Sequence, residues 1–185
     1  MRNKIIFVTG CPAAGKSTFA LRLSEKLNIP LFSKDIIKEI MGDGYGSESG
    51  DVYTNGSKVT FMLMLHIAER FLQTGQRCIL ESNFLHHDSE QIKLLLKKND
   101  CDCLTFMFGG NLDVLGERYF NRDKERHWVH GKAENKESIK NYVLKTKILE
   151  VSFGGEVINV NATSFDKIDY EGLFVSAKRF IDNCS

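Results

Sequence analysis

Short apolar segments alternate along the chain with longer segments in which apolar residues recur at helical spacing. This alternation is typical of an α/β fold whose parallel strands are buried on both faces. The pattern predicts five strands, at Lys4–Thr9, Ile29–Phe32, Cys78–Glu81, Cys103–Phe108 and Val157–Val160. It predicts seven helices, at Lys16–Leu27, Lys34–Met41, Val52–Thr74, His87–Lys98, Asp113–Lys124, Lys136–Glu150 and Tyr170–Asp182.

Two segments interrupt this pattern. Gly42–Gly56 contains five glycines, and a segment so rich in glycine predicts a loop. Asp123–Glu134 is polar and contains two histidines and the single tryptophan, which predicts an exposed, mobile segment. Trp128 has two interpretations here: it stacks on a base or sugar, or it makes a hydrophobic hinge contact.

Composition narrows the class of protein. A chain of 185 residues is long enough for one domain, residues 1–185, that needs no disulfide or metal to support its core. The hydrophobic fraction of 42% excludes a mainly disordered chain, and the net charge of +1 argues against a broad nucleic-acid-binding surface. Five irregularly spaced cysteines predict free thiols. The apolar runs are far shorter than the roughly 20 residues that span a bilayer, so we expect a cytoplasmic protein without a membrane partner.

A phosphate-binding loop follows the first predicted strand. The pattern G-x-x-x-x-G-K-[ST] is matched by consecutive residues that lead into the first helix: Gly10, Cys11, Pro12, Ala13, Ala14, Gly15, Lys16, Ser17 and then Thr18. Glycines let the backbone N–H groups surround phosphate oxygens, and the helix N-terminus adds positive charge. Lys16 is expected to reach the β- and γ-phosphates, and the Ser17 hydroxyl to ligate Mg²⁺. The loop predicts binding of a nucleoside triphosphate, with ATP and Mg²⁺ as cofactors.

The signatures of a nucleotide switch are missing. Asn135-Lys-Glu-Ser138 lacks the aspartate of a guanine-binding motif, and Asp169-Tyr-Glu-Gly172 lies in the wrong order along the chain. A regulatory nucleotide-binding protein with slow hydrolysis nevertheless stays open as an alternative to a kinase.

Arginines recur at helical spacing after the fourth predicted strand. Arg118, Arg122 and Arg126 stand at i, i+4 and i+8, which places them on one face of a helix. This favours a phosphate-handling lid at approximately 113–134, in which Arg122 and Arg126 stabilise the charge of the transferred phosphoryl group. Arg118 would contact the cofactor or position its neighbours. The alternative is a solvated helix face whose arginines are balanced by acidic neighbours.

Candidate acceptor-side residues follow the second and third strands, where ligands gather in open α/β sheets. Asp35 is the candidate base for the incoming hydroxyl, although it also fits a first-turn carboxylate behind an N-capping Ser33. Lys38 is a candidate for substrate binding or for pairing with Asp35. Glu81 is the candidate for holding the magnesium water shell. Asn83 is a candidate for reaching substrate or for stabilising the loop turn.

Together these residues resemble the P-loop kinases of the nucleoside/nucleotide-kinase superfamily. The similarity is to the branch with polynucleotide 5′-hydroxyl kinases, zeta-toxin-like kinases and AAA-domain ATP-binding proteins. It is carried by the phosphate loop, Ser33-Lys-Asp35-Ile-Ile-Lys38, Leu80-Glu-Ser-Asn83-Phe-Leu, the three arginines, and Val160-Asn161-Ala-Thr163.

The resemblance implies a three-layer fold whose five-stranded parallel sheet has the order 2-3-1-4-5, with ATP across its carboxyl edge. It implies that Asp35 is the catalytic base and that Asn161 and Thr163 border the adenine. Lys38 stands where these kinases carry an arginine, so bidentate phosphate clamping is lost. A small-molecule or nucleotide hydroxyl is therefore the preferred acceptor, with a polynucleotide 5′-hydroxyl as the alternative.

Overall fold

Five parallel strands form the centre of the molecule. The computed structural model describes residues 2–46, 50–122, 126–130, 135 and 137–183, without the side chains of 50–54. The strands are β1 (Asn3–Gly10), β2 (Leu31–Ser33), β3 (Cys78–Glu81), β4 (Cys101–Gly109) and β5 (Glu156–Asn161). Their order is β2-β3-β1-β4-β5 with every pairing parallel, which confirms the predicted fold class and strand order.

Helices cover both faces of this sheet. Within the described residues they are α1 (Lys16–Leu27), α2 (Lys34–Tyr45), α3 (Gly50–Gln73), α4 (Ser89–Lys98), α5 (Leu112–Arg122), α6 (Glu137–Thr146) and α7 (Tyr170–Asp182). Short 3-10 turns lie at His86–Asp88, Ile148–Glu150 and Phe165–Lys167. None of the described helices is long and apolar enough to cross a membrane.

The strand β1 separates two apolar cores. Ile6 and Val8 face a cluster that includes Phe19 of α1, whereas Ile5 and Phe7 face a cluster that includes Phe61 of α3. Because side chains alternate between the faces of a strand, a strand covered on both sides is apolar throughout. This explains why the predicted strand was recognisable as a continuous apolar run.

The prediction of a loop at Gly42–Gly56 is wrong for residues 42–45 and 50–56, which are helical. The helix α2 continues to Tyr45 and α3 begins at Gly50, while residues 47–49 lie outside the described part. Glycine lowers helix propensity by about 1 kcal/mol, a preference that tertiary packing overrides. Here Gly42 is buried, and a Cβ at its position would overlap Val129. Val129 therefore packs closely on α2 because Gly42 has no side chain.

Two predicted helices are also interrupted. The helix predicted at Lys136–Glu150 ends at Thr146, because Lys147 adopts a left-handed conformation with φ 49° and the chain continues as a 3-10 turn that buries Ile148. The helix predicted from His87 begins at Ser89, after a 3-10 turn whose Asp88 carboxylate accepts a hydrogen bond from the Leu85 amide at 2.8 Å.

Candidate active site

The phosphate loop is tied to the neighbouring strand. The Cys11 amide donates to the carbonyl of Phe108 in β4 at 2.7 Å, directly after Gly10, whose φ is +118°. A Cβ at Gly10 would overlap the backbone of Phe108, and other residues rarely adopt this φ. Both facts require glycine at the first position of the motif. The loop then enters α1 at Lys16, as predicted.

Lys16 is buried inside the loop. Its ammonium group donates to the Cys11 carbonyl at 2.7 Å, and only 6% of the residue is exposed. Burial lowers the pKa of Lys16, while the carboxylates of Glu81 and Asp35 act in the opposite direction. Burial also raises the pKa of the Cys11 thiol, which makes that cysteine a poor nucleophile.

Two hydroxyl groups hold the carboxylate at the end of β3. The Ser17 hydroxyl donates to Glu81 Oε1 at 3.3 Å, and the Ser33 hydroxyl donates to Glu81 Oε2 at 2.6 Å. Burial raises the pKa of Glu81, and the Lys16 ammonium and the two hydroxyls oppose that rise. Carboxylate and hydroxyl oxygens are the hard ligands that Mg²⁺ prefers, so these residues fit a magnesium ion beside the loop.

Ser33 belongs to the site, although its position in the sequence predicts an N-cap of α2. It precedes α2 as expected of an N-cap, but its side chain makes no capping hydrogen bond and binds Glu81 instead. The reason is the register of the sheet, in which Ser33 lies directly beside Glu81. The signal in the sequence was the position of both residues at the ends of strands that are adjacent in the predicted order.

Asp35 lies in the first turn of α2 beside an arginine. Arg126 Nη2 is 3.6 Å from Asp35 Oδ2, the guanidinium is 5.1 Å from the Tyr119 ring centroid, and Nη1 donates to the Tyr119 hydroxyl. The side chain of Asp35 is 52% exposed and that of Arg126 is 17% exposed. An accessible carboxylate therefore stands next to a fixed cation at the edge of the phosphate loop.

The three arginines do not share one helix face. The helix α5 ends at Arg122, and Arg126 lies beyond it, so the predicted i, i+4, i+8 arrangement is wrong for Arg126. Residues 123–125 lie outside the described part. Arg122 and Arg126 both line the cavity over the phosphate loop, whereas Arg118 points to the chain after β5.

Arg118 binds the segment of the chain that follows β5. Its guanidinium donates to the carbonyls of Ala162 at 2.6 Å and Thr163 at 2.7 Å, and lies 4.0 Å from the Phe165 ring centroid. The Asn161 carboxamide oxygen accepts a hydrogen bond from the Thr163 hydroxyl at 2.6 Å. These contacts bring the predicted Asn161, Thr163 and Arg118 together within one small region.

The segment 126–130 packs on α2, so the expectation of an exposed segment is wrong for its described residues. Lys38 Nζ donates to the Val129 carbonyl at 2.8 Å. His127 Nε2 lies 2.9 Å from Asp43 Oδ1, and His130 Nε2 lies 2.8 Å from Glu39 Oε1. The Trp128 ring lies beside Gly42, which agrees with the hinge-contact interpretation.

The packing of Gly42 makes a direct prediction. Gly42→Ala places a methyl group into Val129, and overpacking of this kind costs about 1–3 kcal/mol. Gly44→Ala is the matched control, because a Cβ there meets nothing within 4 Å and replacing a helical glycine gains up to about 1 kcal/mol. Urea unfolding followed by circular dichroism should give opposite signs for the two variants. Equal stabilisation by both would contradict the described packing.

A second cavity adjoins the phosphate cavity. It has a volume of about 750 Å³ and lies between α2, α3, the start of α4 and α6. Five residues line both spaces: Pro12, Asp35, Asn83, Tyr119 and Arg126. Asp35 and Arg126 therefore stand at the junction. The predicted Lys38 and Asn83 also line this cleft, although the Lys38 ammonium already binds the Val129 carbonyl.

The phosphate loop between β1 and α1, the strand order and the cavity above Lys16 define a P-loop nucleotide-binding protein of the kinase type. The AAA domain family, AAA_33, matches residues 5–141, so the chain belongs to this family of P-loop NTPases. Membership implies nucleotide binding. No curated protein sequence matches the chain.

Solved structures of other proteins share the fold. A protein of Chloroflexus aurantiacus j-10-fl to which a kinase activity is ascribed has 29% identity and a TM-score of 0.86, with 97% of this chain and 99% of that chain covered. Kti12 of Chaetomium thermophilum, solved with ADP-AlF3, has 17% identity, a TM-score of 0.69 and coverage of 97% and 100%. Shikimate kinase of Bacteroides thetaiotaomicron has 16% identity, a TM-score of 0.59 and coverage of 97% and 98%.

Proposed function

We propose that the protein is an ATP- and Mg²⁺-dependent kinase that transfers the γ-phosphoryl group to a hydroxyl of a small molecule or nucleotide. The observation that carries this proposal is the position of Asp35 and Arg126 between the phosphate cavity and the 750 Å³ cleft. A nucleotide on the loop would present its terminal phosphoryl group toward that junction. An acceptor in the cleft would approach it from the other side, as in-line transfer requires.

The phosphate loop and the residues around it are suited to bind negatively charged phosphates and a magnesium ion. Backbone N–H groups of the loop and Lys16 bind the phosphates, and Ser17 with Glu81 would hold Mg²⁺. The metal ion, when bound, neutralises charge on the phosphate oxygens. We assign Arg118, Asn161 and Thr163 to the adenine side, where the guanidinium lies on Phe165. We further propose that residues 1–185 act as one domain with a lid at 113–134.

The chemical step needs a proton acceptor and a stabilised phosphoryl group. The acceptor oxygen forms a bond to phosphorus while the bond between that phosphorus and the β-phosphate oxygen breaks, and ADP leaves. The hydroxyl proton passes to the Asp35 carboxylate and then to water. Arg122 and Arg126 stabilise the charge on the phosphoryl oxygens, and Arg126 is already held by Tyr119.

The cleft dimensions favour a small acceptor over a polynucleotide end. Small-molecule sites usually enclose about 300–1,000 Å³, a range that includes this cleft. The test is transfer of label from γ-labelled ATP to a panel of polyols, sugar acids, nucleosides and a 5′-hydroxyl oligonucleotide. Label on a small hydroxy compound supports the proposal. Label on the oligonucleotide alone would favour the polynucleotide kinase, and release of inorganic phosphate alone would favour a regulatory NTPase.

The Ser33–Glu81 contact predicts a change in magnesium dependence. Ser33→Ala removes a hydrogen bond to a carboxylate, an interaction of about 1.5–3 kcal/mol, while the Ser17 hydroxyl still donates to Glu81. The Mg²⁺ concentration for half-maximal nucleotide binding should rise severalfold. Ser24→Ala is the control, because that hydroxyl also makes a hydrogen bond of 2.6 Å, but to the Ile29 carbonyl and not to Glu81. An unchanged magnesium dependence in Ser33→Ala would contradict the role of Ser33.

A further inference from the structure

The cleft contains polar groups that the phosphoryl transfer does not use. Ser82 lines the cleft, and only 5% of the residue is exposed. Its hydroxyl is able to donate and accept a hydrogen bond with a ligand in this space. Asn83 lies beside it, and Gln91 and Tyr142 line the same space. This lining is suited to a ligand with several hydroxyl groups.

Positively charged side chains outnumber carboxylates on the described lining of the cleft. Arg126 faces Asp35, Lys38 binds the Val129 carbonyl, and Asp88 accepts a hydrogen bond from the Leu85 amide. Two ammonium groups then remain on the lining described here, those of Lys34 and Lys58. Counted over the whole described lining, four cationic side chains stand against two carboxylates, so the cleft has a formal excess of two positive charges.

Both lysines line the same cleft as Asp35, the proposed proton acceptor. Lys34 directly precedes Asp35 in α2, and its ammonium lies 6.0 Å from the centroid of the Phe61 ring in α3. Lys58 lies one helical turn before Phe61 on α3. The positive side of the cleft is therefore the α2–α3 side, next to the carboxylate that would receive the hydroxyl proton.

On the basis of the proposed function, we infer that the acceptor is a small polyhydroxy compound that carries an anionic group, a carboxylate or a phosphate. Lys34 and Lys58 bind the anion through charge-assisted hydrogen bonds. Ser82 and Asn83 bind hydroxyl groups, and the aromatic face of Phe61 closes the α3 side. The hydroxyl that faces Asp35 receives the phosphoryl group.

The test separates the anion from the hydroxyl groups and from the nucleotide. The chain is first saturated with Mg²⁺ and a non-hydrolysable ATP analogue, which keeps anions away from the phosphate loop. Calorimetric titrations then compare three ligands with matched skeletons: sorbitol, gluconate and sorbitol 6-phosphate. The isotherm of the analogue tests the proposed nucleotide site separately from the acceptor site.

We expect at least one of the two anions to bind about tenfold or more tightly than sorbitol, and the tighter of them identifies the anionic group. Lys34→Met with Lys58→Met should remove that preference, whereas Lys97→Met, at the opposite end of the sheet, should keep it. Ser82→Ala should weaken binding of the preferred anion while keeping its preference over sorbitol.

Binding of sorbitol as tightly as both anions, or failure of both anions to bind, would overturn the inferred acceptor class. Either result leaves the kinase itself intact if the analogue binds and a neutral hydroxyl is phosphorylated. An analogue that does not bind would instead contradict the proposed function.

Discussion

Lys16→Ala is expected to remove ATP-dependent transfer, with kcat/KM lowered by at least about a hundredfold. A single preorganised charge or hydrogen-bond donor at a developing negative charge contributes on this scale. Lys16 is the buried cation of the phosphate loop, and alanine leaves no positive charge at that position. The measurement is steady-state transfer together with the affinity for ATP.

The control for this variant is on the same helix. Lys26 of α1 is exposed and pairs with Glu171 at 2.7 Å, an ion pair that contributes little at a surface. Lys26→Ala should therefore keep wild-type transfer within about twofold. Circular dichroism of both variants verifies that the fold persists. Normal turnover in a folded Lys16→Ala would contradict the assignment of the nucleotide site.

Asp35→Asn should lower kcat by about 10²–10⁴-fold and leave the affinity for ATP nearly unchanged. General base catalysis contributes an effect of this size, and an amide cannot accept the proton. The side chain lies beside Arg126 at the junction of the two cavities and is accessible from the cleft, where the proposed acceptor would meet it. Single-turnover transfer and equilibrium ATP binding separate the two effects.

Substitution of a second first-turn carboxylate is the control that distinguishes a catalytic role of Asp35 from stabilisation of its helix. Asp113 occupies the first turn of α5 as Asp35 occupies that of α2, and its side chain is 71% exposed. Asp113→Asn loses the favourable interaction with the helix N-terminus, up to about 1 kcal/mol, without a loss of transfer. If Asp35→Asn behaves in the same way as Asp113→Asn, Asp35 is only a first-turn carboxylate.

Local patterns were enough to predict the sheet and the phosphate loop. The central strands β1, β3 and β4 are almost wholly buried, so each is visible as a continuous apolar run, whereas β2 is half-buried and β5 is mostly exposed. The strand order is confirmed by the pairings. The loop depends on residues that are consecutive in sequence. Its glycine at position 10 is required by the backbone of Phe108, a constraint that the motif already contains.

Contacts between distant segments could not be predicted in this way. Gly42 packs against Val129, which lies far along the chain. The sequence of α2 by itself carries no information about that contact. Ser33 binds Glu81 instead of capping α2, which requires the register of β2 and β3. Arg126 reaches Asp35 from a segment docked on α2 and not from the helix of Arg122.

The central claim is that the γ-phosphoryl group of ATP passes to a hydroxyl compound in the cleft. The most direct measurement is the ratio of phosphate ester to ADP formed with γ-labelled ATP, Mg²⁺ and the preferred acceptor. One ester for each ADP is predicted, with loss of the ester in Asp35→Asn. ADP accompanied only by inorganic phosphate, at the same rate with and without acceptor, would contradict the claim.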